Sequence, residues 1–119
     1  ATRFVTTEEC DADIRYKEAY IRANKEDIQI VKSPVGMPGR AIMNPFMERA
    51  MAGERISPTK CLPSMTGCKP SEIPYCITES LLHAAKGETD EALLFCGADA
   101  WRAEKIETVE EVMDDLLQA

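Results

Sequence analysis

The sequence predicts an α/β region that is mostly helical. Apolar residues recur at helical spacing in about four segments, only two or three short runs read as strands, and no tight turn signal joins one strand to another. At 119 residues the chain has the length of one modest domain, so residues 1–119 are read as a single region. Apolar residues make up 45% and charged residues 29%, the proportions of an ordinary globular protein.

Ala1-Thr2-Arg3-Phe4-Val5 reads as the end of a strand, and it opens in mid-element, which predicts a piece of a larger protein. Thr6 and Glu9 have capping-box spacing, so the strand is expected to run straight into a helix. Tyr16, Ala19, Tyr20 and Ala23 form the stripe of that helix, which stops near Asn24. Ile28, Ile30 and Val31 switch to a β-branched, partly alternating run, a second strand that Pro34 ends. Ser33 to Arg40 holds two prolines and two glycines in eight residues and reads as a shaped loop.

Asn44-Pro45 has the form of an N-cap followed by proline at the first helical position, with Phe46, Met47, Ala50 and Met51 as the apolar face and Gly53 as the stop. Residues 54–75 carry five prolines or glycines and read as a long irregular crossing. A third helix is expected from about Tyr75 to Lys86, with Ile77, Leu81, Leu82 and Ala85 on one side and Gly87 as terminator. Residues 92–96 read as a buried strand. Thr108 and Glu111 form a second capping box ahead of Val109, Val112, Met113, Leu116 and Leu117 at i, i+3, i+4, i+7 and i+8.

The formal charge of −7, from 21 acidic and 14 basic residues, repels phosphate backbones and anionic lipid, so no nucleic acid and no membrane surface is expected as a partner. The longest apolar stretch, Ala92-Leu93-Leu94-Phe95-Cys96, is far short of the ~20 residues that span a bilayer. Five cysteines, an odd and irregularly spaced set, read as reduced thiols of a cytoplasmic protein.

Thr2-Arg3-Phe4-Val5-Thr6-Thr7-Glu8-Glu9-Cys10, Val31-Lys32-Ser33-Pro34-Val35-Gly36-Met37-Pro38-Gly39-Arg40-Ala41-Ile42 and Phe95-Cys96-Gly97 together resemble the C-terminal region of the nitronate monooxygenase (2-nitropropane dioxygenase) family, which includes FMN-type enoyl reductases. The resemblance spans nearly the whole chain in order. It implies the C-terminal, mostly helical portion of an FMN-binding (β/α)₈ TIM barrel: the end of the last strand, the following helix and a C-terminal extension. On that mapping Ala1, where relatives often have glycine, and Thr2 are the cofactor-binding residues, Thr2 offering its backbone N–H to the FMN phosphate. Thr2 as a plain strand residue is the competing reading. The implied chemistry is flavin redox on a small-molecule substrate: oxidation of a nitronate, or electrons passed from NAD(P)H to an enoyl or other acceptor. The catalytic residues are expected outside this chain, which is expected to be inactive alone.

Several residues invite a role. His83, the only histidine, reads as a solvated neighbour of Glu79. Cys61, Cys68 and Cys76 cluster in the irregular segment, but no CxxC pair exists, the resemblance implies that some relatives carry a further cysteine where Ser64 stands, and no metal ligand set is assigned. The Gly36-Met37-Pro38-Gly39-Arg40 segment reads equally as a turn with a surface arginine or as a loop approaching flavin or substrate. Gly97-Ala98-Asp99-Ala100 is placed by the resemblance near the flavin cavity, with Trp101 beside it as core. Met37, Met43, Met47, Met51, Met65 and Met113 read as packing. The alternative function is a non-enzymatic acidic helical interaction module, associating as a homo-oligomer through exposed apolar faces. A small zinc or iron–sulfur domain is a third reading.

Overall fold

A computed structural model describes residues 1–34, 36–58, 69 and 72–118 of the chain. Its elements, in order, are α1 (Thr2–Val5), α2 (Ile14–Arg22), β1 (Ile28–Lys32), β2 (Pro38–Ile42), α3 (Pro45–Met51), α4 (Ile77–Ala85) and α5 (Val109–Gln118). Short 3-10 turns lie at Lys25–Asp27 and Ala100–Arg102.

β1 and β2 form an antiparallel hairpin in which Ile28 faces Ile42 and Lys32 faces Pro38. The expected loop is therefore shorter than its composition suggested. Pro38 is accommodated because it starts the strand, where a missing N–H costs least. Gly39 is in the strand because a Cβ there would come 2.5 Å from the Phe95 ring. That glycine marks close approach rather than a turn, whereas Gly36, with φ +86, does serve the turn.

Residues 92–96 lie along the other edge of β2. Ile42 donates its N–H to the Leu94 carbonyl (3.0 Å) and Cys96 donates to the Arg40 carbonyl (3.0 Å), which makes an isolated antiparallel bridge at Ala41 and Phe95 rather than the expected full strand. Alternation of side chains across this layer separates two cores. Ile42 and Leu94 face Ala19, Tyr20, Ala23, Ala84, Ala92 and Ala100, while Ala41 and Leu93 face Val31, Phe46, Met47 and Tyr75. In the second core the Phe46 and Tyr75 rings meet edge to face, centroids 5.0 Å apart.

The first residues depart most from expectation. Residues 2–5 form one helical turn closed by the Phe4 N–H on the Ala1 carbonyl (3.0 Å), not a strand. Thr, Phe and Val favour strands, but no described strand runs beside them, and an unpaired strand leaves its backbone unsatisfied. The Thr6 and Thr7 hydroxyls instead donate to the Arg3 and Phe4 carbonyls at 3.3 and 2.7 Å, closing the turn's C-terminal end. Thr6 and Glu9 thus make no capping box. Asp13 caps α2, accepting the Arg15 N–H at 2.9 Å.

Two further caps follow the sequence. Asn44 accepts the Met47 N–H (2.8 Å) ahead of Pro45, and Thr108 and Glu111 bond reciprocally at 3.1 and 3.3 Å. The faces of the later helices do not follow it. On α4 the buried residues are Ser80 and Ala84, while Leu81 and Leu82 are 40% and 45% exposed. On α5 only Val112 is buried, and Leu117 is 77% exposed. Small residues fit the close approach of α4 to residues 92–94, where the Leu93 N–H donates to the Ser80 carbonyl (3.3 Å), and that contact sets the helix rotation.

Candidate functional site

The segment holding Ala1 and Thr2 is anchored to the far end of the chain. Arg3 donates to Asp115 (2.6 Å) and Glu107 (3.2 Å), joining α1 to α5 and the residues before it. Glu8 and Glu107 exchange strand-like bonds with their surroundings: the Glu8 N–H donates to the Glu107 carbonyl (2.9 Å) and the Glu107 N–H to the Thr6 carbonyl (3.1 Å). Glu9 completes the clamp, its carboxylate accepting the Val109 N–H at 2.9 Å and so capping α5 across a hundred residues of chain.

Against Thr2 lies Gly97. A Cβ on Gly97 would collide with the Thr2 hydroxyl oxygen, so glycine is what lets the two segments touch. Gly97 is itself held from behind. The Phe95 carbonyl, two residues earlier, accepts the Tyr20 hydroxyl at 2.7 Å and the Tyr16 hydroxyl at 3.2 Å. The two rings sit 5.6 Å apart on one face of α2, and burial pushes both phenols above their ordinary pKa. Cys96, between Phe95 and Gly97, is a thiol pushed by desolvation up to about 11, with the Arg40 charge opposing the shift.

Thr2, Arg3 and Thr6 then face Asp99, Arg102 and Lys105 across a cleft of about 450 Å³. Of the two segments singled out by sequence, Thr2 from the first and Asp99 and Ala100 from the second line this cleft, together with the acidic Glu104, Glu107 and Asp115. Ala1 is exposed, Thr2 half-buried and Ala100 fully buried. Trp101 is half-buried rather than core, with the Lys25 ammonium 6.0 Å from its ring centroid.

Other expectations separate from this cleft. Met37 is 68% exposed and Arg40 is exposed on β2, whose chain edge is taken by Cys96. Of the methionines Met47 is fully buried, Met43 is half-buried, and Met51 and Met113 are exposed. Cys10, Cys76 and Cys96 are free thiols, and the Cys76 sulfur accepts the Glu79 N–H (3.5 Å) at the start of α4. Cys61, Ser64, Met65 and Cys68 lie outside the described residues.

His83 is not the solvated residue its spacing suggested. Its side chain is 27% exposed, with Nδ1 2.7 Å from Glu88 and 3.9 Å from Glu91, and Nε2 3.7 Å from Glu79. Sequence reasoning found Glu79 by its i, i+4 spacing and missed the other two, which reach the ring only because the chain turns back after Gly87 (φ +81). It missed the paired tyrosine hydroxyls as well. The available signal was two buried-face tyrosines four residues apart, each needing an acceptor.

The family model described as nitronate monooxygenase matches residues 1–119. Among solved structures, FabK from Thermotoga maritima is similar with a TM-score of 0.74 at 24% identity, over 99% of this chain and 34% of that one. Its M276A mutant is similar with a TM-score of 0.68 at 22% identity, over 99% of this chain and 31% of that one. The chain therefore spans about a third of the length of the FabK chains whose fold it shares. No curated protein matches.

Proposed function

The chain belongs to the nitronate monooxygenase family, and from that premise we propose that it forms the C-terminal part of an FMN-dependent oxidoreductase built on a (β/α)₈ barrel. The contact of Gly97 with Thr2, which itself lines the cleft, carries the reading, since it joins the two segments that the family resemblance assigns to the flavin's edge. Ala1 and Thr2 are the proposed phosphate contacts. In a single helical turn the leading N–H groups have no acceptor within the helix, and a phosphate supplies one. The Arg3 ties to Asp115 and Glu107 and the tyrosine bonds to Phe95 would hold the two segments at fixed separation. Rigid positioning of this kind is what the protein contributes, while bound FMN supplies the redox chemistry.

The substrate class is a nitronate, or an enoyl or other acceptor reduced at the expense of NAD(P)H. The reacting groups would stand on the part of the fold that this chain does not include, so residues 1–119 alone would be inactive. The odd, irregularly spaced cysteine set supports the proposal of a reducing, cytoplasmic setting; separately, no helix among the described residues is long and apolar enough to cross a membrane. The full-length gene product should purify yellow, release about one FMN per chain on denaturation, and consume a nitronate or oxidise NAD(P)H with an enoyl thioester present. A colourless full-length protein that takes up no added FMN would refute the proposal and leave the interaction-module reading in its place.

A further inference from the structure

We propose that His83, Glu88 and Glu91 form a site for a first-row transition-metal dication, of the zinc, manganese or iron type, with Glu79 steadying the imidazole from behind. One ligand atom from each of the three residues lies within 4.8 Å of the others. Metal bonds of 2.0–2.2 Å at tetrahedral angles place ligand atoms roughly 3.4 Å apart. The observed separations from Nδ1, 2.7 Å to Glu88 and 3.9 Å to Glu91, straddle that value, so small side-chain rotations suffice.

The backbone builds this cluster. Gly87 reverses the chain at the end of α4, the Glu88 N–H then donates to the His83 carbonyl (2.9 Å), and the Glu91 N–H donates to the Glu88 carbonyl (3.1 Å). Glu88 and Glu91 are thus hung from one short, hydrogen-bonded turn that is itself bonded back to His83 on α4. Glu79, one helical turn earlier, faces the opposite ring nitrogen at 3.7 Å. Contraction of that contact would make a carboxylate–histidine pair of the kind that fixes the tautomer and orientation of metal-bound imidazoles.

Charge favours a dication over the bare ion pair. The two ligating carboxylates, Glu88 and Glu91, face one imidazole, so even a protonated His83 balances only one of them. Arg15 and Arg49 lie within electrostatic reach of Glu88 and Glu91, but each is already bonded to another carboxylate, Asp13 at 3.1 Å and Glu54 at 2.8 Å. Glu79, His83 and Glu91 also line a cleft of about 200 Å³ beside α3, with room for waters to complete the coordination sphere. An imidazole nitrogen with two carboxylates suits zinc, manganese or iron rather than calcium or magnesium. A metal here would pin the end of α4 to the turn that leads into residues 92–95, and it is independent of the flavin reading.

Cobalt(II) titration of the full-length gene product tests it, because cobalt reports its ligands by colour. The expected result is one tightly held cobalt with weak visible bands of a nitrogen–oxygen site, displaced by zinc. His83→Gln and Glu91→Gln should each weaken binding by about ten-fold or more, and Glu79→Gln should weaken it while keeping the stoichiometry. Circular dichroism of each variant should match the parent, as the replaced side chains are not core. An intense thiolate band, unchanged affinity in His83→Gln, or no saturable binding at all would each overturn the proposal.

Discussion

Single residues carry most of the geometry at the proposed flavin edge. Gly97 can touch Thr2 only because it lacks a side chain, and the Tyr16 and Tyr20 hydroxyls fix the carbonyl just before it. Cys96 lies between these contacts, and its titration reports on them. Its thiol is raised in the fold from 9.0 to about 11, so the native state favours the protonated form. That contribution is whole below pH 9 and is lost as pH rises through about 11. Iodoacetamide at pH 8 should therefore leave Cys96 unmodified in the native protein and label it in urea, as read by peptide mass. Rapid native labelling of Cys96 would mean that the 95–97 segment is not held as described.

Elements were legible in the sequence where their ends were written locally. The Asn44-Pro45 start, the Thr108/Glu111 box, the Gly87 stop and the α2 stripe all involve residues within a few positions of each other, and all appear as read. What failed depended on distant partners. The strand at Ala1 to Val5 and the ladder at residues 92–96 needed neighbours that β-propensity cannot supply. Pro38 and Gly39 looked like loop because the Phe95 ring that demands glycine is far away in sequence. Glu9 illustrates the same rule in reverse, since it caps α5 rather than the nearby helix. Replacing it should therefore affect the other end of the chain. Glu9→Ala is expected to lower stability by about 1 kcal/mol in denaturant melts, with the amide-exchange loss concentrated at residues 109–112. Loss confined to α2 would show that the cap is misassigned.

At the scale of the whole molecule, the chain is extended. Its axes measure 50 × 27 × 22 Å and its radius of gyration is 15.3 Å, against roughly 13–14 Å for a compact domain of this length. Two separate cores flank the β2 layer, and apolar side chains stand uncovered at Leu81, Leu82, Met113, Leu116 and Leu117. Surfaces of this kind ordinarily meet another part of the fold or a second copy. The isolated 119-residue chain should accordingly self-associate in a light-scattering concentration series, whereas a monomer at every concentration with a cooperative melt would favour a self-sufficient module. The resemblance located Thr2 in sequence, but its meeting with Gly97 became visible only with the fold, because no spacing rule links positions 2 and 97.

FMN affinity of the full-length gene product bearing Thr2→Glu tests that meeting most directly. A carboxylate placed at the phosphate end repels it, so the account predicts binding weakened by about ten-fold or more in a variant whose circular dichroism spectrum and cooperative melt show it folded. Undiminished FMN affinity in this folded variant would contradict the account, because Ala1 and Thr2 would then not stand at the phosphate.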